Sequence, residues 1–158
     1  MNMTVEQVMS VELVTLSPNH RVYHAMDLMD AHQLRHLPIV DEERRLRGVI
    51  SDRDVKKLTH ANFNTEEESA QERLSLLEEV GVVAHQEPLT VSPDTELSEV
   101  AELMLKHKVG SVLVCGTESG ELVGIVTRAD LLWVLCQLLR PSTFSPMSKS
   151  GEETDLKS

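Results

Sequence analysis

Apolar residues fall in two rhythms along this chain, and the same succession of rhythms occurs twice. Val22, Ala25, Met26 and Met29 lie three or four apart, as one face of a helix requires, and Leu97, Val100, Ala101 and Met104 repeat that spacing. Unbroken runs of aliphatic and β-branched residues surround each helix, at 13–16, 37–40 and 46–50 in the first half and at 88–91, 112–115 and 122–126 in the second. Charged or Gly-containing turns at 41–45 and 116–121 join the last two runs of each half, which therefore read as strands. The first run of each half ends in Ser-Pro, and proline neither continues a strand ladder nor extends a helix backwards, so the chain turns there. Ser17 and Ser92, or the adjoining Asn19 and Asp94, are expected to cap the helix that follows. His32 and His107 fall near its end, where a cation meets the negative end of the helix dipole. A last helix starts after Ser51 and after Thr127. Each half is a β-α-β-β-α unit, and the fold class is α+β.

The residues themselves also repeat. Residues 14–19, Val-Thr-Leu-Ser-Pro-Asn, match residues 89–94, Leu-Thr-Val-Ser-Pro-Asp, at an offset of 75. Leu28, Met29 and His32 then meet Leu103, Met104 and His107. After one inserted residue the offset is 76, and Leu46, Gly48, Ser51 and Asp54 meet Leu122, Gly124, Thr127 and Asp130. The expected organisation is a first repeat at 1–60, an acidic helical linker at 61–79, a second repeat at 80–140 and a disordered tail at 141–158 rich in Ser, Pro and charge. In the linker, Thr65 and Glu68 have the form of a capping box, and a solvated connecting helix is expected. One such unit is too small to bury enough surface alone, so the copies should pack sheet to sheet about a pseudo-twofold axis with helices outside.

Composition narrows the function. Aromatics are 3% of the chain, which leaves few platforms for stacking bases, and the net charge of -11 opposes binding to a nucleic acid duplex. No apolar run is long enough to span a membrane, and residues 1–10 lack the regions of a signal peptide, so a cytoplasmic protein without membrane insertion is expected. Cys115 and Cys136 sit in apolar runs and read as reduced core thiols. No P-loop, Gly-x-Gly-x-x-Gly, His-Glu-x-x-His, Gly-x-Ser-x-Gly or Cys-x-x-Cys occurs. His32 and His36 are four apart, but Pro38 and the strand reading place His36 outside the helix. No catalytic residue, metal or catalytic cofactor is expected.

The chemistry lies where the third strand of each unit runs into its last helix. The pattern there is Gly-x-x-[Ser/Thr]-x-x-Asp, as Gly48-Val-Ile-Ser51-Asp-Arg-Asp54 and as Gly124-Ile-Val-Thr127-Arg-Ala-Asp130. Free N–H groups at a helix start attract anions, and an Asp three residues on suits the vicinal hydroxyls of a ribose. The same residues equally suit a helix cap with an acidic first turn, worth about 1 kcal/mol. On these two motifs, in their places within two β-α-β-β-α units, the chain resembles the cystathionine-β-synthase (CBS) repeats, and the pair resembles a Bateman module, from about residue 5 to residue 139.

That resemblance implies a non-catalytic regulatory, energy-sensing module that binds an adenine nucleotide (AMP, ADP, ATP or an adenosyl ligand such as S-adenosylmethionine) in clefts shared between the copies. It implies a first pocket of Ser51, Arg53 and Asp54 with Pro88, Leu89 and Thr90, and a second of Thr127 and Asp130 with Leu13, Val14 and Thr15. Arg35 and His36 would reach phosphates, whereas the corresponding Gly110 and Ser111 carry no charge and Arg128 supplies some of what is missing. Residues 1–58 hold eight basic and nine acidic side chains, the remainder seven and seventeen, so a phosphate is better tolerated near the first copy. The regulated protein is unknown. The alternatives are a dimerisation scaffold without a ligand and an enzyme with an unrecognised site. The resemblance also implies a homodimer, a flat disk of four repeats joined through the last helices. Within residues 129–139, Leu131, Leu132, Leu135 and Leu138 or Leu139 are expected to cover the sheet, leaving Trp133 at the dimer contact.

Overall fold

The computed structural model describes residues 2–59 and 66–140. The first repeat contains helix α1 (Val22–His32), strands β1 (His36–Val40) and β2 (Leu46–Ser51), and helix α2 (Asp52–Thr59). Helix α3 (Glu66–Leu76) and the short α4 (Val80–Val83) lead into the second repeat. That repeat holds β3 (Thr90–Val91), α5 (Leu97–His107), β4 (Ser111–Cys115), β5 (Leu122–Thr127) and α6 (Arg128–Leu139). The strands pair antiparallel as β1–β2 and β4–β5, with β3 added parallel to β4. The helical faces read from the sequence are the buried ones: Val22, Ala25 and Met29 in α1, and Leu97, Val100 and Met104 in α5. His32 and His107 close these helices, and each is followed by a left-handed residue, Gln33 or Lys108.

Several local expectations are corrected. Arg21 and Glu96 are the helix N-caps, not Ser17, Ser92, Asn19 or Asp94. The serine backbones instead close turns, with the His20 N–H donating to the Ser17 carbonyl at 3.1 Å and the Thr95 N–H donating to Ser92 at 3.1 Å. The first run of the first repeat forms no strand. Only Leu16 pairs, with its N–H donating to the Pro38 carbonyl and its carbonyl accepting from Val40, both at 2.9 Å. The reason is covalent. Leu113 donates its N–H to the Leu89 carbonyl at 3.1 Å, but its counterpart Pro38 has no N–H to give Val14. Cys115 is half-buried, but Cys136 is exposed and is no core thiol. The Thr65–Glu68 capping box and the tail lie outside the described residues.

The face of α6 is also corrected. Asp130 and Val134 are buried, and Leu131 and Trp133 pack on the core of the second repeat, with the indole nitrogen shielded from solvent. Leu132, Leu135, Leu138 and Leu139 face outward, 60%, 48%, 58% and 74% exposed. A helix apolar all round carries no stripe from which its rotation can be read. The rotation follows from its first turn, where Asp130 is tied back to Thr127.

Among the described residues, three hydrophobic clusters hold the fold together. One lies between the two sheets, where Val40, Leu13, Leu46 and Val49 meet Leu113, Leu122, Cys115 and Ile125, as sheet-to-sheet packing requires. Each of the other two joins the helices and sheet of one repeat to the opening segment of the other. Val5 and Val8 belong to the core of the second repeat, and Val80 and Ala84 to that of the first. The exchange continues in the backbone, as Ser10 pairs with Ile125 and His85 with Val49. Position 10 corresponds to 85 and position 125 to 49, so the exchange obeys the pseudo-twofold relation between the repeats.

Candidate functional site

The exchange accounts for the first residue of the motif. A Cβ on Gly48 would lie 2.8 Å from the His85 carbonyl oxygen, and one on Gly124 would strike the Met9 side chain. At both glycines the opening segment of the other repeat crosses the strand, presenting its backbone to Gly48 and the Met9 side chain to Gly124.

The Ser/Thr and Asp of the motif form reciprocal caps. Ser51 donates its N–H and its hydroxyl to Asp54 Oδ2, each at 2.8 Å, and the Asp54 N–H donates to Ser51 Oγ at 3.1 Å. Thr127 donates likewise to Asp130 Oδ2 at 2.8 and 3.2 Å, and the Asp130 N–H donates to Thr127 Oγ1 at 3.5 Å. Both carboxylates are thereby held in one orientation at a helix start. An ionised carboxylate has about four acceptor positions. The two bonds that Asp54 takes in its cap leave capacity for the paired hydroxyls of a ribose.

Charge gathers where the two repeats meet. Matching backbone bonds bring the starts of β1 and β4 to the last helices, with the Asp52 N–H donating to the Arg35 carbonyl at 2.8 Å and the Arg128 N–H donating to the Gly110 carbonyl at 3.2 Å. His36 is half-buried. A Cβ on Gly110 would lie 3.5 Å from its ring and 3.8 Å from Arg128 Nε. Burial holds the His36 imidazole below the usual value of 6.5; the fields of Arg128 and Arg35 act in the same direction, while Asp54 and Asp52 oppose them. Arg35, His36 and Asp54 of the first repeat are thus brought together with Arg128 of the second. The sequence supplies the residues of this cluster, but only the fold shows that Arg128 crosses to His36. Asp52 was overlooked, and its place directly after Ser51 was the available signal.

The remaining residues take differing positions. Arg53 is exposed on α2. Val14 packs on the core of the first repeat, Leu89 on that of the second, and Leu13 lies between the sheets. Thr15 and Pro88 are half-buried and Thr90 is exposed. No group of side chains able to hold a metal occurs among the described residues, and no helix among them is long and apolar enough to cross a membrane.

The CBS domain family matches this chain twice, over residues 5–60 and 78–136. The chain belongs to the CBS domain family. This CBS pair is 33% identical over 141 residues to a CBS domain-containing protein of Dictyostelium discoideum, covering 89% of this chain and 97% of the relative. It is 27% identical to inosine-5'-monophosphate dehydrogenase of Aquifex aeolicus, covering 80% of this chain but only 23% of the enzyme. Among solved structures it resembles CBSX2 from Arabidopsis thaliana, which has been crystallised in complex with AMP. That complex matches with a TM-score of 0.72 and 28% identity over 87% of this chain and 98% of CBSX2. The CBS domain pair of MJ0100, in complex with 5'-methylthioadenosine and S-adenosyl-L-methionine, matches with a TM-score of 0.69 and 26% identity, over 84% of this chain and 99% of that one.

Proposed function

We propose that this CBS pair is a non-catalytic regulatory module that binds an adenine nucleotide between its repeats and passes the binding state to a partner protein. The observation that carries the reading is the junction cluster, in which Asp54, fixed by its cap, stands with Arg35, His36 and Arg128. Such a set offers acceptors to ribose hydroxyls and donors to a phosphate. The AMP complex of CBSX2 and the adenosyl complex of the MJ0100 pair support this ligand class. The dehydrogenase relative supports the regulatory role, because the matched pair is a minor part of that enzyme.

In this reading Ser51, Arg53 and Asp54 work with residues 88–90 as one pocket, and Thr127 and Asp130 with residues 13–15 as another. AMP, ADP and ATP fit the first better, since Arg35 and His36 stand where the second copy has Gly110 and Ser111. S-adenosylmethionine, which lacks phosphate, suits the second.

Calorimetry with AMP, ATP and adenosine on the Asp54→Ala and Asp130→Ala variants tests this. Each variant should lose about 1.5–3 kcal/mol of binding at its own site and about 1 kcal/mol of stability from its cap. Arg35→Ala should weaken ATP more than adenosine. Unchanged affinity in both aspartate variants reduces the carboxylates to helix caps, and no binding by the parent protein leaves a ligand-free scaffold.

A further inference from the structure

The starts of β1 and β4 lie side by side where the two repeats meet. The pseudo-twofold relation pairs Arg35, His36 and Asp52 of the first repeat with Gly110, Ser111 and Arg128 of the second. The bond from the Asp52 N–H to Arg35 and that from the Arg128 N–H to Gly110 are therefore counterparts. A Cβ on Gly110 would lie 3.6 Å from His36 Nε2 and 3.8 Å from Arg128 Nε, so the imidazole of one repeat and the guanidinium of the other flank the same stretch of backbone. The charges of Arg35, Arg128, Asp52 and Asp54 all act on His36 there. Arg128 belongs by sequence to the second motif, between Thr127 and Asp130, yet it stands beside the imidazole of the first repeat. Its counterpart Asp52 brings the opposite charge to the same junction, and Lys56 pairs with that carboxylate at 2.8 Å.

We propose that this junction admits one phosphorylated ligand at a time: Arg128 serves a phosphate held by Arg35 and His36 in the first pocket, and that phosphate excludes a second one from the other pocket, which is left for an adenosyl ligand without phosphate. The inference rests on the nucleotide-binding reading above and adds a coupling between its two pockets. The physical cause is charge. A phosphate monoester carries about −1.5 to −2 at neutral pH. On the first side the junction offers it two guanidinium groups and an imidazole, all able to make charge-assisted hydrogen bonds. On the second side the corresponding positions are Gly110 and Ser111, without charge, and Asp52, an acid. A second phosphate would also have to share Arg128 with the first. Two unit charges of one sign about 8 Å apart, at an effective dielectric of about 20, oppose each other by roughly thirtyfold in affinity. A ligand without phosphate meets no such opposition, so the two classes of ligand bind together where two phosphates do not.

Calorimetry on the full chain tests the coupling. AMP should bind the parent protein once per chain, with any second event at least about tenfold weaker, and the AMP-loaded protein should still take one 5'-methylthioadenosine. Arg128→Ala, at an exposed side chain, should weaken the first AMP event about tenfold and leave 5'-methylthioadenosine within about twofold. Gly110→Arg, where a Cβ meets only ordinary contacts, puts a cation on the second side and should bring the second AMP event to within about threefold of the first. Circular dichroism of both variants should remain native. Two AMP molecules bound with equal affinity by the parent chain overturn the exclusion and leave the nucleotide reading intact. So does an Arg128→Ala variant that loses only the second AMP event, which would return the arginine to the second pocket. A chain that binds neither AMP nor 5'-methylthioadenosine overturns the nucleotide reading itself, and the coupling with it.

Discussion

Pro38 and Leu113 hold the same place in the two CBS repeats, and between them they decide whether a strand forms. Leu113 has an N–H to give Leu89, so the second repeat gains β3; Pro38 has none, and the first repeat keeps a single bridge at Leu16. A second divergence lies on the outward helices. Asp30 and Lys56 give the first repeat a polar rim, with Lys56 paired to Asp52 at 2.8 Å, while Thr59 is buried and α3 lies against α1 and α2. The second repeat has leucines there and, among the described residues, no such cover. A third divergence lies at the junction, where Arg35 and His36 face Gly110 and Ser111. The two repeats thus share one backbone plan and differ at a few corresponding positions. One repeat carries Arg35 and His36 at the junction, and the other carries the exposed leucines of α6.

The sharpest way to break the comparison is to exchange the strand-deciding residues. Leu113→Pro should cost about 3 kcal/mol or more, because it removes a ladder bond and a fully buried side chain. Pro38→Val should shift stability by no more than about 1 kcal/mol, the net worth of one hydrogen bond. Urea unfolding midpoints check both, and equal effects would deny that the missing N–H explains the missing strand.

The motif glycines give a smaller contrast. At Gly48 the obstacle is a backbone carbonyl held in a strand pair, and Gly48→Ala should cost about 2 kcal/mol. At Gly124 the obstacle is the Met9 side chain, its Cγ at 2.8 Å as well as its sulfur, and a flexible side chain yields more readily than a backbone. Gly124→Ala should therefore cost less than about 1 kcal/mol. Thermal unfolding of the two variants ranks them, and the reverse order would mean that the exchanged segments are not equally constrained.

The smallest effect concerns pH. His36 is held below its usual value of 6.5, so the folded protein binds its proton less readily than the unfolded chain. Its contribution to stability is fully present above about pH 6.5 and is lost as the pH falls from there through the lower folded value. A phosphate beside the ring favours the charged form, so AMP binding should take up protons and tighten a few-fold between about pH 7.5 and 6. Calorimetry in buffers of different ionisation enthalpy measures that uptake, which His36→Gln should abolish.

Much of the fold was legible because local chemistry dictated it. Val22, Ala25 and Met29 bury the face their spacing marks, and Ser51–Asp54 and Thr127–Asp130 form caps that four residues suffice to define. The candidate site was legible only in parts. Arg35 and His36 stand out as cations before a strand, but the approach of Arg128 to His36 is made by two segments far apart in the chain. The face of α6 was misread because apolar content was the only guide where a helix has no polar side.

The sequence by itself determined the α-β-β-α succession common to both repeats, the glycine and capping residues at each strand-to-helix turn, and the absence of a ladder donor at Pro38. These are matters of a residue's own backbone and of neighbours within one turn. Only the tertiary structure decided that each repeat lends its opening segment to the other, that α3 packs on the helices of the first repeat, and that Trp133 turns inward. Each of these depends on which of several apolar surfaces meet, and burial free energy is proportional to area and blind to order along the chain.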